Sequence, residues 1–372
     1  MKFHWSKKYF FLLLLGVYHS VLTFFAYHYI LTEGGDSTIY WFKNPSTQYH
    51  SWLDFFNYGT DAILFLNYPF VHFLQLPFVW GFILYSFVGF LGILQLYRLS
   101  VLMLQEQGIH TNTVYFLYGL FLLPNLHFWT SFIGKEAIIF LALSTLFLKG
   151  YEKKFLSVGF ILSFIIVFII RPHVALMLLI TLVFVLGFST RIVLLTKVKL
   201  LSSSLAIAAI CFYMFLQLSE IKRFDWDRIQ RFNLGSLRSF EHSESFVPME
   251  SYGYPMKLFS FYFRPLFYGS SNMYWWVLSI ENLLILLLHV LGVILLFRYR
   301  KYVFQHDFVK FIFLFALIAG LLFVQRYSGF GIFARTKIMM QPFVLVVFLW
   351  LINWHFLTKN KTAPFLKDKT ET

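Results

Sequence analysis

Cysteine is nearly missing from this chain: Cys211 is the only one. An intrachain disulfide and a thiolate metal cluster are therefore excluded. Charge is scarce too, with Asp, Glu, Lys and Arg making up 13% of 372 residues. That is too little to cover a soluble surface of this size. Acid is the rarer sign, 17 residues against 31 Lys and Arg, for a formal net charge of +14. The chain also lacks a P-loop, a G-x-G-x-x-G turn, an H-E-x-x-H pair and a G-x-S-x-G elbow. A nucleotide enzyme of the soluble kind is thereby disfavoured, and no metal and no cofactor is implied.

What is abundant is apolar. Hydrophobic residues make up 59% of the chain, and the mean hydropathy is +0.69. Apolar runs of about 18–22 residues recur, enough to cross a bilayer as helices. The expected fold is all-α: a polytopic transmembrane helix bundle of about ten spans. Their limits fall near 8–30, 76–97, 113–132, 137–148, 155–170, 174–190, 200–217, 274–297, 308–325 and 338–357. The 50 Phe and 22 Tyr suit lipid-facing and interfacial positions. The first run follows Lys2, Lys7 and Lys8. It is too long for a signal peptide and lacks a small-x-small cleavage site, so it reads as an uncleaved signal anchor.

The basic excess sets an orientation. With the N-terminus inside, the cytoplasmic connections carry Arg98; Lys149, Lys153 and Lys154; Arg191, Lys197 and Lys199; and Arg298, Arg300 and Lys301. The tail adds Lys359, Lys361, Lys367 and Lys369. This satisfies the positive-inside rule and accounts for much of the +14 without nucleic acid as a partner. Residues 1–357 are expected to form one membrane domain with both termini cytoplasmic, and 358–372 a disordered tail. Two long segments, about 31–75 and 219–272, then lie outside. The first contains Trp52-Leu53-Asp54-Phe55-Phe56, a pattern suited to a helix lying at the interface. The second mixes Arg228, Arg231 and Arg238 with Asp225, Asp227, Glu241 and Glu244, and suits a small cap.

Charge at membrane depth is kept mostly where it binds something. Asp36 follows the first run after Gly34-Gly35 and could serve as a general base toward a hydroxyl at the membrane surface; the plain alternative is a turn or capping Asp. Glu33, Asp54 and Asp61 compete with it. Lys135 and Glu136 open a helix, where a cation beside a helix N-terminus suits phosphate. Glu136 could pair with Lys135 or cap that helix; a snorkelling Lys is the plain alternative. Arg171 and His173 flank Pro172. Arg binds phosphate bidentately and His can hydrogen-bond or titrate; an Arg bonded to helix-end carbonyls is the plain alternative. Arg264, Arg326, Arg335 and Lys337 fall at outer ends of spans, each readable singly as an interfacial anchor. Phe168-Ile169-Ile170-Arg171-Pro172 and Phe261-Tyr262-Phe263-Arg264-Pro265 share Phe-x-x-Arg-Pro, which sets both arginines at helix breaks. His19, His28, His289 and Glu281 lie within spans, where interhelical hydrogen bonding is the simpler role beside a proton path.

Gly35-Asp36-Ser37-Thr38-Ile39-Tyr40, Phe128-Trp129-Thr130-Ser131-Phe132-Ile133-Gly134-Lys135-Glu136 and Arg171-Pro172-His173 carry a resemblance. With the long first outer segment, they resemble bacterial polytopic glycosyltransferases of the GT-C class and the related O-antigen and exopolysaccharide polymerases. The resemblance implies a polyprenyl-phosphate or polyprenyl-diphosphate sugar donor and a glycan or lipid acceptor. It places the work at the outer face of the bacterial inner membrane, in cell-surface polysaccharide synthesis. It sets Asp36 at the position of the outer-loop acid, and Lys135, Arg171 and Arg335 at phosphate-binding positions. The double-acidic pair that follows the first span in some GT-C enzymes is absent, which weakens a metal-dependent mechanism. Glu136, His173, Arg264 and Arg326 complete the candidate substrate-binding set. A transporter or flippase of an anionic lipid-linked glycan is the main rival, and a membrane acyltransferase another.

Overall fold

The structure, a computed structural model, describes residues 5–42, 51–189, 193–218, 226–267 and 273–359. Arg191, Asp225 and the tail lysines beyond Lys359 lie outside the described residues. The fold is all-helical, with no strand among the described residues. Helix α1 (Trp5–Glu33) is followed at once by α2 (Asp36–Trp41). Gly34 and Gly35 between them take φ of 72° and 140°. Side chains rarely permit either value, so the two glycines allow this break between the helices. A 3-10 turn at Trp52–Phe55 precedes α3 (Thr60–Tyr68) and α4 (Phe78–Gln107). Next come α5 (Thr111–Phe121), α6 (Pro124–Trp129), α7 (Lys135–Tyr151), α8 (Val158–Ile170), α9 (Pro172–Phe188) and α10 (Leu194–Leu218). The rest comprises α11 (Trp226–Arg238), α12 (Tyr254–Phe263), α13 (Met273–Arg298), α14 (Arg300–Val303), α15 (Asp307–Phe323), α16 (Phe330–Thr336) and α17 (Gln341–Lys359).

Five of these helices are long and apolar enough to cross a membrane: α1, α4, α10, α13 and α17. α8 and α9 are shorter and apolar. α17 sits at the centre. Its residues from Gln341 to Asn353 are buried without a break, and it packs on α4, α5, α13 and α15. A helix apolar on every side has no face for water, and here protein rather than lipid covers it. α1 is the opposite case, presenting Phe10, Leu13 and Phe24 outward. Lipid tails are as apolar as these side chains, so close packing rather than apolar transfer holds such helices together. Gly89 of α4 shows how close: a Cβ there would fall 2.0 Å from the Thr130 carbonyl oxygen.

Several expected boundaries shift. The run 113–132 is not one helix: α5 ends at Phe121, Pro124 begins α6, and residues 130–134 form turns. Proline has no N–H to continue the ladder and pushes the residue before it out of helical geometry. Leu123 is accordingly extended, with ψ of 119°. Trp52–Phe56 does not form an interfacial helix but the 3-10 turn, closed by a capping box between Ser51 and Asp54. Asp36 lies in a helix rather than a loop, at the first position of α2. Both Phe-x-x-Arg-Pro segments do end helices, α8 at Ile170 and α12 at Phe263.

Candidate functional site

Short elements converge near Asp36. Ser37 donates its hydroxyl to the Ile133 carbonyl at 2.8 Å, fixing α2 to the turn before α7. Asn67 donates to the Tyr40 carbonyl at 3.1 Å and accepts from the Tyr85 hydroxyl at 2.8 Å, holding the other end of α2. The α2 carboxylate therefore has a fixed address beside the first turn of α7, where Lys135 and Glu136 precede the apolar run. The break at Arg171 and the short helix α16, carrying Arg335, close the group.

The charged side chains form a chain of contacts. Arg335 Nη1 donates to Asp36 Oδ2 at 2.8 Å. Arg335 Nε lies 3.2 Å from Glu136 Oε1, but out of line for a hydrogen bond, so this buried nitrogen has no acceptor. Arg171 Nη2 donates to the same Glu136 Oε1 at 2.7 Å. The inner pair is almost dry, with side-chain exposures of 6% for Arg171 and 8% for Glu136. The outer pair is open, with 27% for Arg335 and 47% for Asp36. Lys135 does not pair with Glu136; its Nζ donates to the Thr60 hydroxyl at 3.0 Å.

Burial alone would raise the Glu136 carboxyl, but Arg335 and Arg171 outweigh it and hold its pKa below the ordinary value. Burial would likewise lower Arg335, and Glu136 and Asp36 reverse that. Lys135 goes the other way: burial first, then the neighbouring Arg171, push it down to about 8. Thus the outer edge presents one carboxylate, Asp36, beside two cations, Arg335 and Lys135. Glu136 and Arg171 form a dry backing behind them.

The remaining candidates make no hydrogen bond with Asp36 or Glu136, although His173 stands within electrostatic reach of Arg171, Lys135 and Arg326. His173 Nε2 and Arg326 Nε are buried without a hydrogen-bond partner. The Arg326 guanidinium stacks on the Phe232 ring of α11 at 4.4 Å, and burial lowers its pKa. Segments 245–247 and 328–330 are laced by backbone hydrogen bonds, Val247 N to Ser328 O at 2.8 Å and Phe330 N to Ser245 O at 2.9 Å. Arg264 is turned elsewhere, donating to the Tyr252 hydroxyl at 3.3 Å and covering the Phe330 ring at 5.2 Å. Among the competing acids, Asp54 is used in the capping box, and Asp61 accepts from Asn57 at 3.1 Å.

Sequence reasoning missed Thr60, a polar residue with no pattern to mark it, and gave Ser37 no role of its own beyond its place in the motif around Asp36. A second buried polar group gathers two residues that the sequence singled out separately, Glu281 within a span and Lys337 at a span end, around Asn125, Asn282 and Tyr262. Glu281 of α13 accepts from the backbone N–H of Asn125 at 2.7 Å. Lys337, fully buried, donates to the Asn282 side chain and, at 3.4 Å, to the Tyr262 carbonyl. These contacts pin α6 and the segment after α16 against α13. His19 links helices: its Nδ1 lies 3.0 Å from His127 Nδ1, and its Nε2 lies 3.0 Å from the Ser86 carbonyl. His289 Nδ1 lies 2.8 Å from the Ile285 carbonyl of its own helix. Among the described residues no group of His, Cys, Asp and Glu is arranged to hold a metal ion.

Comparison with known proteins adds no assignment: no family model matches the chain, and no curated protein and no solved structure matches it either.

Proposed function

We propose that this chain is an integral membrane glycosyltransferase or polysaccharide polymerase. Its donor is a polyprenyl-phosphate- or polyprenyl-diphosphate-linked sugar, used at the outer face of a bacterial inner membrane in cell-surface polysaccharide synthesis. About ten crossings with both termini cytoplasmic complete this reading. The observation that carries it is a half-exposed carboxylate, Asp36, set against Arg335 and next to Lys135 in a protein of membrane-length apolar helices. Charge kept at such a place has a ligand as its first explanation.

In the reaction, Asp36 takes the proton of an acceptor hydroxyl. The hydroxyl oxygen attacks the anomeric carbon, and the bond to the donor phosphate breaks, the phosphate keeping the electron pair. Lys135 and Arg335 stabilise the charge that develops on it. Arg171 acts from behind by orienting Glu136. The test is sugar transfer in vesicles by Asp36→Asn at equal protein level. Loss of a general base lowers the rate by about 10²–10⁴-fold. Full activity in that variant refutes the catalytic role and makes a flippase for an anionic lipid-linked glycan, which needs the cations but no base, the better reading.

A further inference from the structure

Arg335 is shared between two carboxylates, and its seats are unequal. Nη1 makes a good bond to Asp36 at 2.8 Å. Nε faces Glu136 Oε1 at 3.2 Å without hydrogen-bond alignment, and stays buried with no acceptor. Glu136 does not depend on it, because Arg171 already donates to that oxygen at 2.7 Å. A guanidinium presents its N–H groups in a rigid fork. A small rotation toward Glu136 would therefore align Nε and withdraw Nη1 from Asp36. The partners on each side differ in wetness: Asp36 is 47% exposed and Glu136 8%. The move loses a solvent-screened contact and gains a dry one. A phosphoryl group arriving beside Lys135 would compete with Asp36 for the guanidinium in the same manner.

We propose that Arg335 is a two-seat positioning residue that couples occupancy of the anion site to release of Asp36: bound phosphate takes the guanidinium away from the carboxylate. This rests on the reading given under Proposed function, since it needs an anionic ligand at Lys135. It explains why a base would be left bound to an arginine. Asp36 is engaged as the structure shows it, and it becomes a free proton acceptor only when a donor phosphate is in place, so the base is released only in the donor-bound state.

If so, Asp36 competes with phosphate for Arg335, and removing the competitor tightens binding. The probe is farnesyl phosphate, titrated into full-length protein in nanodiscs, with farnesol and inorganic phosphate as parallel arms. Asp36→Asn should raise farnesyl phosphate affinity by about fivefold more with Arg335 present than in an Arg335→Gln background. The Gln background reports the simple loss of a negative charge near the ligand. Equal gains in both backgrounds, or weaker binding on Asp36→Asn, overturn the coupling. Should Arg335→Gln not fold, Arg335→Lys replaces it, because an ammonium lacks the fork; a gain there as large as with Arg also overturns it. The parent reading fails separately. Farnesyl phosphate bound no better than farnesol, or equally well after Lys135→Ala, removes the anion site and the coupling with it. Inorganic phosphate bound as tightly as farnesyl phosphate, with the same difference in gains, keeps the coupling and assigns the site to free phosphate rather than lipid.

Discussion

Removing the Arg171 side chain tests whether the inner ion pair is as dry as its geometry implies. Arg171→Met keeps the apolar stem and deletes the guanidinium. Glu136 then loses its 2.7 Å donor in a site where its side chain is 8% exposed. Breaking one partner of a buried pair typically costs about 3–5 kcal/mol, because the other charge is left behind. Here Arg335 Nε, already 3.2 Å from the same oxygen, supplies partial relief. The expected loss is therefore near the low end, about 3 kcal/mol. Adding Glu136→Gln to Arg171→Met removes the stranded charge, so the double variant should recover about half of that loss. The assay is reversible unfolding in mixed detergent micelles, read by tryptophan fluorescence as a double-mutant cycle. A single Arg171→Met variant within about 0.5 kcal/mol of the parent would refute the buried pair. Equal losses in the single and double variants would show that Glu136 is not the group left uncompensated.

Lys135 gives a pH signature. Its pKa, pushed down to about 8 by burial and the neighbouring Arg171, leaves the ammonium charged below that pH and neutral above it. Affinity for farnesyl phosphate should thus be full near neutral pH and fall by roughly tenfold as pH rises well past about 8, read by calorimetry. A phosphomonoester has its second pKa near about 6, so the ligand charge is constant over that window. Lys135→Arg should abolish the dependence, and a pH-independent parent sinks the role of Lys135. Orientation is checked with a single cysteine at the exposed Ile39 after Cys211→Ser. An impermeant maleimide should label it from outside intact cells, and labelling only after lysis would overturn both the topology and the proposed outer site.

How much could be read from the residues depended on what kind of information each feature needs. α17 was legible as a span near 338–357, but its enclosure from Gln341 to Asn353 was not, because an equally apolar helix such as α13 stays largely exposed. The break near 122–134 was half legible. Pro124 announces it, but an apolar window from 113 to 132 hides it, since hydropathy averages over a kink. The end of α8 at Arg171 was legible from Pro172 alone. Asp36 read either as a base or as a turn or helix-capping Asp; Gly-Gly before an acid marks a break without saying whether a helix starts on it, and here one does.

Pairings were the illegible part. Glu136 looked like a partner for its neighbour Lys135. Residues i and i+1 on a helix do not face each other, and a contact between positions 136 and 171 or 335 has no local signature. The same reason split the basic residues assigned to one face. Arg335 and Arg171 meet through one carboxylate oxygen. Arg264, at an equally suggestive helix break, found an aromatic ring and a tyrosine hydroxyl instead. Sign and depth in a membrane can be estimated from sequence, but the partner of a charge is a tertiary fact. That distinction decides chemistry here. An arginine committed to a dry carboxylate backs the site, as Arg171 does. One shared between a dry and a wet carboxylate, as Arg335 is, has somewhere to go when a stronger anion arrives.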